Sequence, residues 1–161
     1  MTAPKVIASN AVISQDGVYR YDLLRRWGDE LNLLRWVLLN PSTADASLDD
    51  PTIRRCMGFA RAWGYDGIVV QNLYALRATD PRELKEHPDP VGPENDDYLH
   101  RWELPTVCAW GCHADDGKRG RAEYVLSILR GTPMCLGRTK AGHPRHPLYL
   151  PATAELEEVA A

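Results

Sequence analysis

Three short stretches of this 161-residue sequence concentrate side chains that can handle a polar, planar ligand: LLNPSTAD (38–45), QNLYALRATDP (71–81) and GRTKAGHPRHPLYL (137–150). In the first, Asn40 offers a donor and an acceptor on a short, stiff side chain. Pro41 fixes the backbone just after it and removes one N–H. The pair suits the holding of a water or a substrate polar atom at a fixed point; the plainer reading is an Asn that closes a strand-to-loop turn through its own backbone. Ser42 follows, with no base partner nearby in sequence, although His146 could reach it in space. Asp45, Asp49 and Asp50 come next. A carboxylate here can activate water as a general base or cap a helix, and capping fits Asp50-Pro51 well. Asp45 is the more open of the three.

In the second stretch Asn72 can read the edge of a nucleobase through paired hydrogen bonds, or form a turn. Tyr74 can stack on a planar ligand or fill the core. The third stretch holds His143-Pro144-Arg145-His146-Pro147-Leu148, which makes poor core and poor helix. Its prolines stiffen the loop, so a histidine is held at low entropic cost. A neutral imidazole can donate to a developing anion, and a charged one stabilises it further. A surface loop with incidental histidines is the competing reading.

Other chemistries lack their signatures. No Gly-rich phosphate loop follows the first buried strand, and there is no Gly-x-Ser-x-Gly elbow. Cys108 and Cys112 with His113 lack a fourth ligand at recognisable spacing, so no metal and no cofactor are expected. The four cysteines, Cys56, Cys108, Cys112 and Cys135, sit among apolar residues or at strand ends, as reduced buried thiols do. The net charge of −3 argues against gripping nucleic acid through bulk charge. Basic residues do cluster late, at Lys118, Arg119, Arg121, Arg130, Arg138, Lys140 and Arg145. No apolar run approaches the roughly 20 residues that span a bilayer, and MTAPKVIASN lacks the pattern of a signal peptide. A cytoplasmic protein is the expectation.

These residues must be positioned by a scaffold, and the pattern specifies one. Residues 6–24 read as a β-hairpin around Gln15-Asp16-Gly17. Four short apolar runs follow: Trp36 to Leu39, Ile68 to Val70, Val107 to Trp110 and Met134 to Leu136. They suit strands buried on both faces. Between them lie helical patterns: one from Pro51 to Gly64, a short one at Asp80-Pro81, one over Glu94 to Glu103 and one over Arg119 to Arg130. Alternating strands and helices imply a doubly wound α/β sheet, in which ligands bind outside the carboxyl ends of the strands. Asn40, Asn72, Gly111 and the histidine loop all fall at such ends.

Two resemblances add to this reading. LLNPSTADASLDDPTIRRCMGFARAWGY and LGRTKAGHPRHPLYL closely resemble a bacterial and phage family known only as domain of unknown function 1643, and the likeness runs from YRYDLLRRW onward. The order of motifs is more distantly similar to the uracil-DNA glycosylase superfamily. That likeness implies that Asn40 positions the attacking water, that Asn72 reads the base edge, and that HPRHPLYL stands for a His-Pro-Ser-Pro-Leu loop. In that loop His146 would stabilise the departing base, with His143 as the alternative because the loop has an extra residue, and Leu148 would wedge into the duplex. The water-activating Asp of some branches is absent at the Asn-Pro motif, as are the cluster cysteines of iron–sulfur members. No aromatic residue follows Pro41, so Tyr74 or Tyr149 would stack on the base.

The expected fold is a single three-layer α/β/α sandwich, uracil-DNA glycosylase-like, with a mostly parallel four-stranded sheet (31–161) and an N-terminal β-hairpin extension (1–30). The expected function is hydrolysis of the N-glycosidic bond of a modified or damaged base in DNA, flipped out for repair by a monomer. Asn40, His146 and Asp45 are the catalytic candidates; Asn72, Pro41, Ser42, Tyr74, His143 and Leu148 would contact substrate; Arg138, Lys140 and Arg145 would meet phosphates. The alternatives are a non-catalytic nucleic-acid or nucleotide binding module and a hydrolase of free nucleosides or nucleotides.

Overall fold

In the computed structural model, which describes residues 4–29, 31–42 and 49–159, the N-terminal hairpin is the first element. Strands β1 (Ala8–Ile13) and β2 (Arg20–Arg26) pair antiparallel. Their turn is closed by Ser14 N donating to Tyr19 O at 2.8 Å, with Gly17 at φ 77° where a Cβ would be strained. The remaining strands are β3 (Leu33–Leu38), β4 (Gly67–Asn72), β5 (Thr106–Cys108), β6 (Pro133–Cys135) and β7 (Glu157–Glu158). All seven form one sheet in the order β1-β2-β4-β3-β5-β6-β7. The ladders β4–β3, β3–β5 and β5–β6 are parallel; β1–β2, β2–β4 and β6–β7 are antiparallel.

The expectation of a four-stranded sheet with an appended hairpin needs correction. The hairpin continues the sheet: Leu23 to Arg26 of β2 lie against Val70 to Gly67 of β4. An unpaired β4 edge would leave a row of backbone donors and acceptors without partners, and β2 covers it. At the other side β7 adds a short antiparallel edge to β6.

Helix α1 (Pro51–Ala62) begins where capping chemistry places it. Asp50 Oδ1 accepts from Ile53 N at 2.8 Å, and Pro51 occupies the first turn. Gly64, at φ 85°, follows the helix end. The other helices are α2 (Arg82–Glu86), α3 (Asn95–Arg101), α4 (Ala114–Gly117) and α5 (Arg121–Ile128), with a 3-10 turn at Pro147–Tyr149. On one face of the sheet, Ile53, Met57, Phe59 and Ala60 of α1 pack against Leu34, Trp36, Ile68 and Val70. On the other, Leu84, Leu99 and Val125 pack with Val37, Leu73 and Cys108. Helices therefore cover both faces, and β3, β4 and β5 are buried along their whole length. No helix among the described residues is long and apolar enough to cross a membrane.

The ladders do not stop with the strands. Leu73 N and Tyr74 N donate to Leu38 O and Leu39 O (2.9 and 3.0 Å), Ala109 N to Val37 O (2.9 Å), and Ala78 N to Pro41 O (3.0 Å). Gly111 N reaches Pro144 O at 2.9 Å, so the loop after β5 is tied to the histidine loop after β6. Four loops at one edge of the sheet are thus fixed to one another. Aromatic rings pack between α1 and the sheet: Phe59 lies 6.1 Å from Trp36 and 5.3 Å from Trp63, ring centre to ring centre. Phe59→Ala is expected to destabilise the chain by about 3–5 kcal/mol, measured as a lowered midpoint in urea unfolding.

Candidate functional site

At the carboxyl ends of the parallel strands lies a cavity of about 680 Å³, within the range typical of small-molecule sites. The loop after β3 contributes Leu38 to Ser42, the end of β4 contributes Asn72, the segment after β5 contributes Trp110 to His113, and the histidine loop contributes Arg145, His146, Tyr149 and Leu150. Arg20 of β2 and Asp50 just before α1 also line it.

Asn72 is 1% exposed, yet neither its Oδ1 nor its Nδ2 has a hydrogen-bond partner among the described residues. Leaving both ends of a buried amide unpaired is unfavourable by about 1–3 kcal/mol per group, and such groups are rare in folded proteins. The backbone at the same point is fully committed. Asn95 Nδ2 donates to Asn72 O at 3.0 Å and to Leu73 O at 3.2 Å, and the buried Arg121 Nε donates to Leu73 O at 2.8 Å. The fold therefore immobilises the main chain at a residue that lines the cavity, with its amide oxygen and nitrogen both enclosed.

Asn40 is arranged differently. Its Nδ2 donates to Ala78 O at 2.8 Å and Pro41 O at 3.0 Å, clamping the loop after β4. These carbonyl partners fix the orientation of the amide. Its Oδ1 has no recorded partner among the described residues, and the residue lines the cavity. Asn40 therefore both ties its own loop to the one after β4 and lines the cavity. Ser42 donates its hydroxyl to Asp50 Oδ2 at 2.6 Å rather than to His146. Asp50 thus caps α1 with one oxygen and holds Ser42 with the other. Asp49 pairs with the buried Arg25 at 2.7 Å.

His146 lines the cavity and its Nδ1 accepts from Leu148 N at 3.2 Å. In the neutral ring the proton then sits on Nε2. Burial pushes the His146 pKa below its ordinary value, and the nearby charge of Asp50 opposes this. The ring is held by its loop, and Arg55 donates to Leu150 O and, at 3.4 Å, to Pro147 O, fastening that loop to α1. His143 occupies a turn in which Thr139 N donates to His143 O at 2.8 Å and His143 N to Thr139 Oγ1 at 3.1 Å, and it does not line the cavity.

The other predicted residues separate. Tyr74 is fully buried away from the cavity wall; its hydroxyl bonds Ala114 O and accepts from Lys118 N at 2.7 Å. Tyr149, 85% exposed, is the aromatic residue on the rim, with its ring 6.0 Å from that of His146. Leu148 is exposed beside it. Arg145 is exposed on the cavity wall and Lys140 is exposed nearby in sequence, whereas Arg138 donates to Glu158 O at 3.3 Å. Asp45 lies outside the described residues.

Of the further residues on the wall, Arg20 had no signal in the sequence, whereas Cys112 and His113 stand out there only as partial metal ligands. Arg20 is buried on the wall, its pKa pushed down to about 10 by that burial, with Asp50 opposing; nothing local in the sequence places β2 beside β4. His113 also lines the cavity, and its position just past the third buried strand was the available clue. Cys112 is exposed on the rim, unlike the other three cysteines, which are buried. Among the described residues no group of three or more His, Cys, Asp or Glu is placed to hold a metal.

Compared with known proteins, the chain matches a family model described as a protein of unknown function (DUF1643) over residues 20–148. No curated protein and no solved structure matches it.

Two outcomes follow from this geometry. Asn72→Leu removes the unpaired amide and is expected to raise unfolding stability by about 1–3 kcal/mol while abolishing ligand binding in the cavity, measured by denaturation and calorimetry. For His146, a folded-state pKa below the unfolded value means that the unfolded chain binds more protons just below about pH 6.5. The stability tied to its neutral form is complete above that pH and is lost as pH falls through the folded pKa. His146→Gln should flatten that part of the melting temperature against pH curve.

Proposed function

The chain belongs to the DUF1643 family, described only as proteins of unknown function, and we propose that it hydrolyses the N-glycosidic bond of a modified or damaged base in DNA. One observation carries this reading: a buried amide, unpaired at both ends among the described residues, belongs to a residue that lines a cavity large enough for a planar ring. A nucleobase edge that sets a donor beside an acceptor is the natural complement of such an amide. The distant likeness to the uracil-DNA glycosylase superfamily, with its layered α/β/α architecture, is supported by Asn40, Asn72 and His146 meeting at one cavity.

In this reading the base leaves the stack, at the expense of a few kcal/mol, and pairs with Asn72. Asn40 Oδ1 accepts a hydrogen of the attacking water. The water oxygen bonds to C1′ as the C1′–N bond breaks, and the bonding pair departs with the base. His146 Nε2–H donates to the anion that forms. A neutral imidazole is the right species for this, because it donates without first having to be charged, and its lowered pKa keeps it neutral. Tyr149 offers a ring face at the rim and Leu148 an exposed apolar tip for the space left in the stack. Arg145 and Lys140 are exposed for phosphates.

A second reading, hydrolysis of free nucleosides or nucleotides, is favoured by the net charge of −3, since monomers need no long basic surface. A panel of single- and double-stranded oligonucleotides with different modified bases, run beside the matching nucleosides, separates them. The DNA reading expects alkali-labile abasic sites. It also expects single-turnover rates lowered about 10²- to 10³-fold by His146→Ala, a comparable loss for Asn40→Ala, and binding that weakens steeply with salt. Turnover of monomers alone moves the assignment to the second reading. DNA binding without cleavage of any oligonucleotide or monomer leaves a non-catalytic module.

A further inference from the structure

The cavity holds two histidines, and their hydrogen bonds set them in opposite tautomers. His146 accepts at Nδ1 from Leu148 N, so its proton is on Nε2. His113 approaches Asp116 Oδ2 through Nδ1 at 2.7 Å. A carboxylate only accepts, so this contact places the His113 proton on Nδ1 and leaves Nε2 as a lone-pair acceptor. One imidazole is therefore set to donate and the other to accept. Both line the same cavity, and Gly111 connects them: its N–H donates to Pro144 O, and a Cβ built on it would lie 3.7 Å from His146 Cβ.

We propose that His113, oriented by Asp116, is the general base of this cavity. The proposal rests on the N-glycosidic reading and supplies what that reading lacks among the described residues, a group to take the water proton. Asn40 Oδ1 accepts one hydrogen of the water and His113 Nε2 the other. As the water oxygen bonds to C1′, its proton passes to Nε2, giving an imidazolium that the Asp116 carboxylate stabilises. The C1′–N pair leaves with the base, which His146 Nε2–H holds as an anion until solvent protonates it. His113 returns its proton to solvent, so the sum is water added across the glycosidic bond. A local contact at the start of α4 is the competing account of the His113–Asp116 pair. The side chains are 51% and 46% exposed, so the pair is open to solvent and to a substrate at the mouth.

The test has two arms. Nitrogen-15 correlation spectra of the imidazoles, taken on the whole chain at mildly alkaline pH, should show His113 protonated on Nδ1 and His146 on Nε2. Asp116→Ala should redistribute the His113 tautomers and leave those of His146 alone. Finding His113 protonated on Nε2 in the unsubstituted chain overturns the proposal whatever the activity. In single-turnover excision assays, His113→Gln should lower the rate by about 10²- to 10⁴-fold with substrate affinity unchanged, and Asp116→Asn by less. Excision at an undiminished rate by His113→Gln overturns the base assignment and leaves the glycosidic reading standing. No excision by the unsubstituted chain on any substrate removes that reading and the base assignment with it.

Discussion

The side chain of Asn72 ends a strand that is buried throughout, and it finds nothing among the described residues to bond. Most of what is distinctive here depends on that unsatisfied amide. The main chain that carries it is held: β3 pairs with it on one side, Asn95 and Arg121 hold the carbonyls of Asn72 and Leu73, and cores lie on both faces of the sheet. The remaining structure keeps an unfavourable arrangement in place. A residue whose main chain is already fixed loses less freedom when a complementary edge arrives, so hydrogen bonds to its amide carry a smaller ordering penalty.

The loops around it follow the same logic with different partners. Asn40 uses its NH₂ group to clamp a loop and keeps an oxygen for the cavity. Pro41 accepts from Ala78 N, which joins the loops after β3 and β4. Asp50 divides its oxygens between the first turn of α1 and Ser42. In each case half of a polar group is structural and the other half sets the position of the site. The separation between structural and functional residues, useful when reading a sequence, breaks down at this edge of the sheet.

Elements governed by local chemistry were legible in the sequence. Asp50-Pro51 and Gly64 mark the ends of α1, Asp16-Gly17 marks the hairpin turn, and the four buried runs supply the four parallel-paired strands. What escaped depends on pairing across long stretches of chain. Nothing near β2 states that it will lie on β4, so neither the seven-stranded sheet nor the arrival of Arg20 at the cavity could be read. Tyr74 had two open readings; its hydroxyl partners, Ala114 and Lys118, lie in a helix and loop that no pattern placed beside it. The histidine loop showed its composition but not its shape. The turn from Thr139 to His143 directs His143 away, and the 3-10 turn at Pro147 brings His146 in.

The most direct measurement of the central claim observes the amide itself. In a selectively labelled sample, the side-chain NH₂ resonances of Asn72 can be followed while free nucleobases are added. The account predicts a saturable downfield shift of one amide proton with a base whose edge sets a donor beside an acceptor, and none when that edge is methylated. An Asn72 amide that responds to no base, or that already shows the signature of a hydrogen bond within the protein, would contradict it.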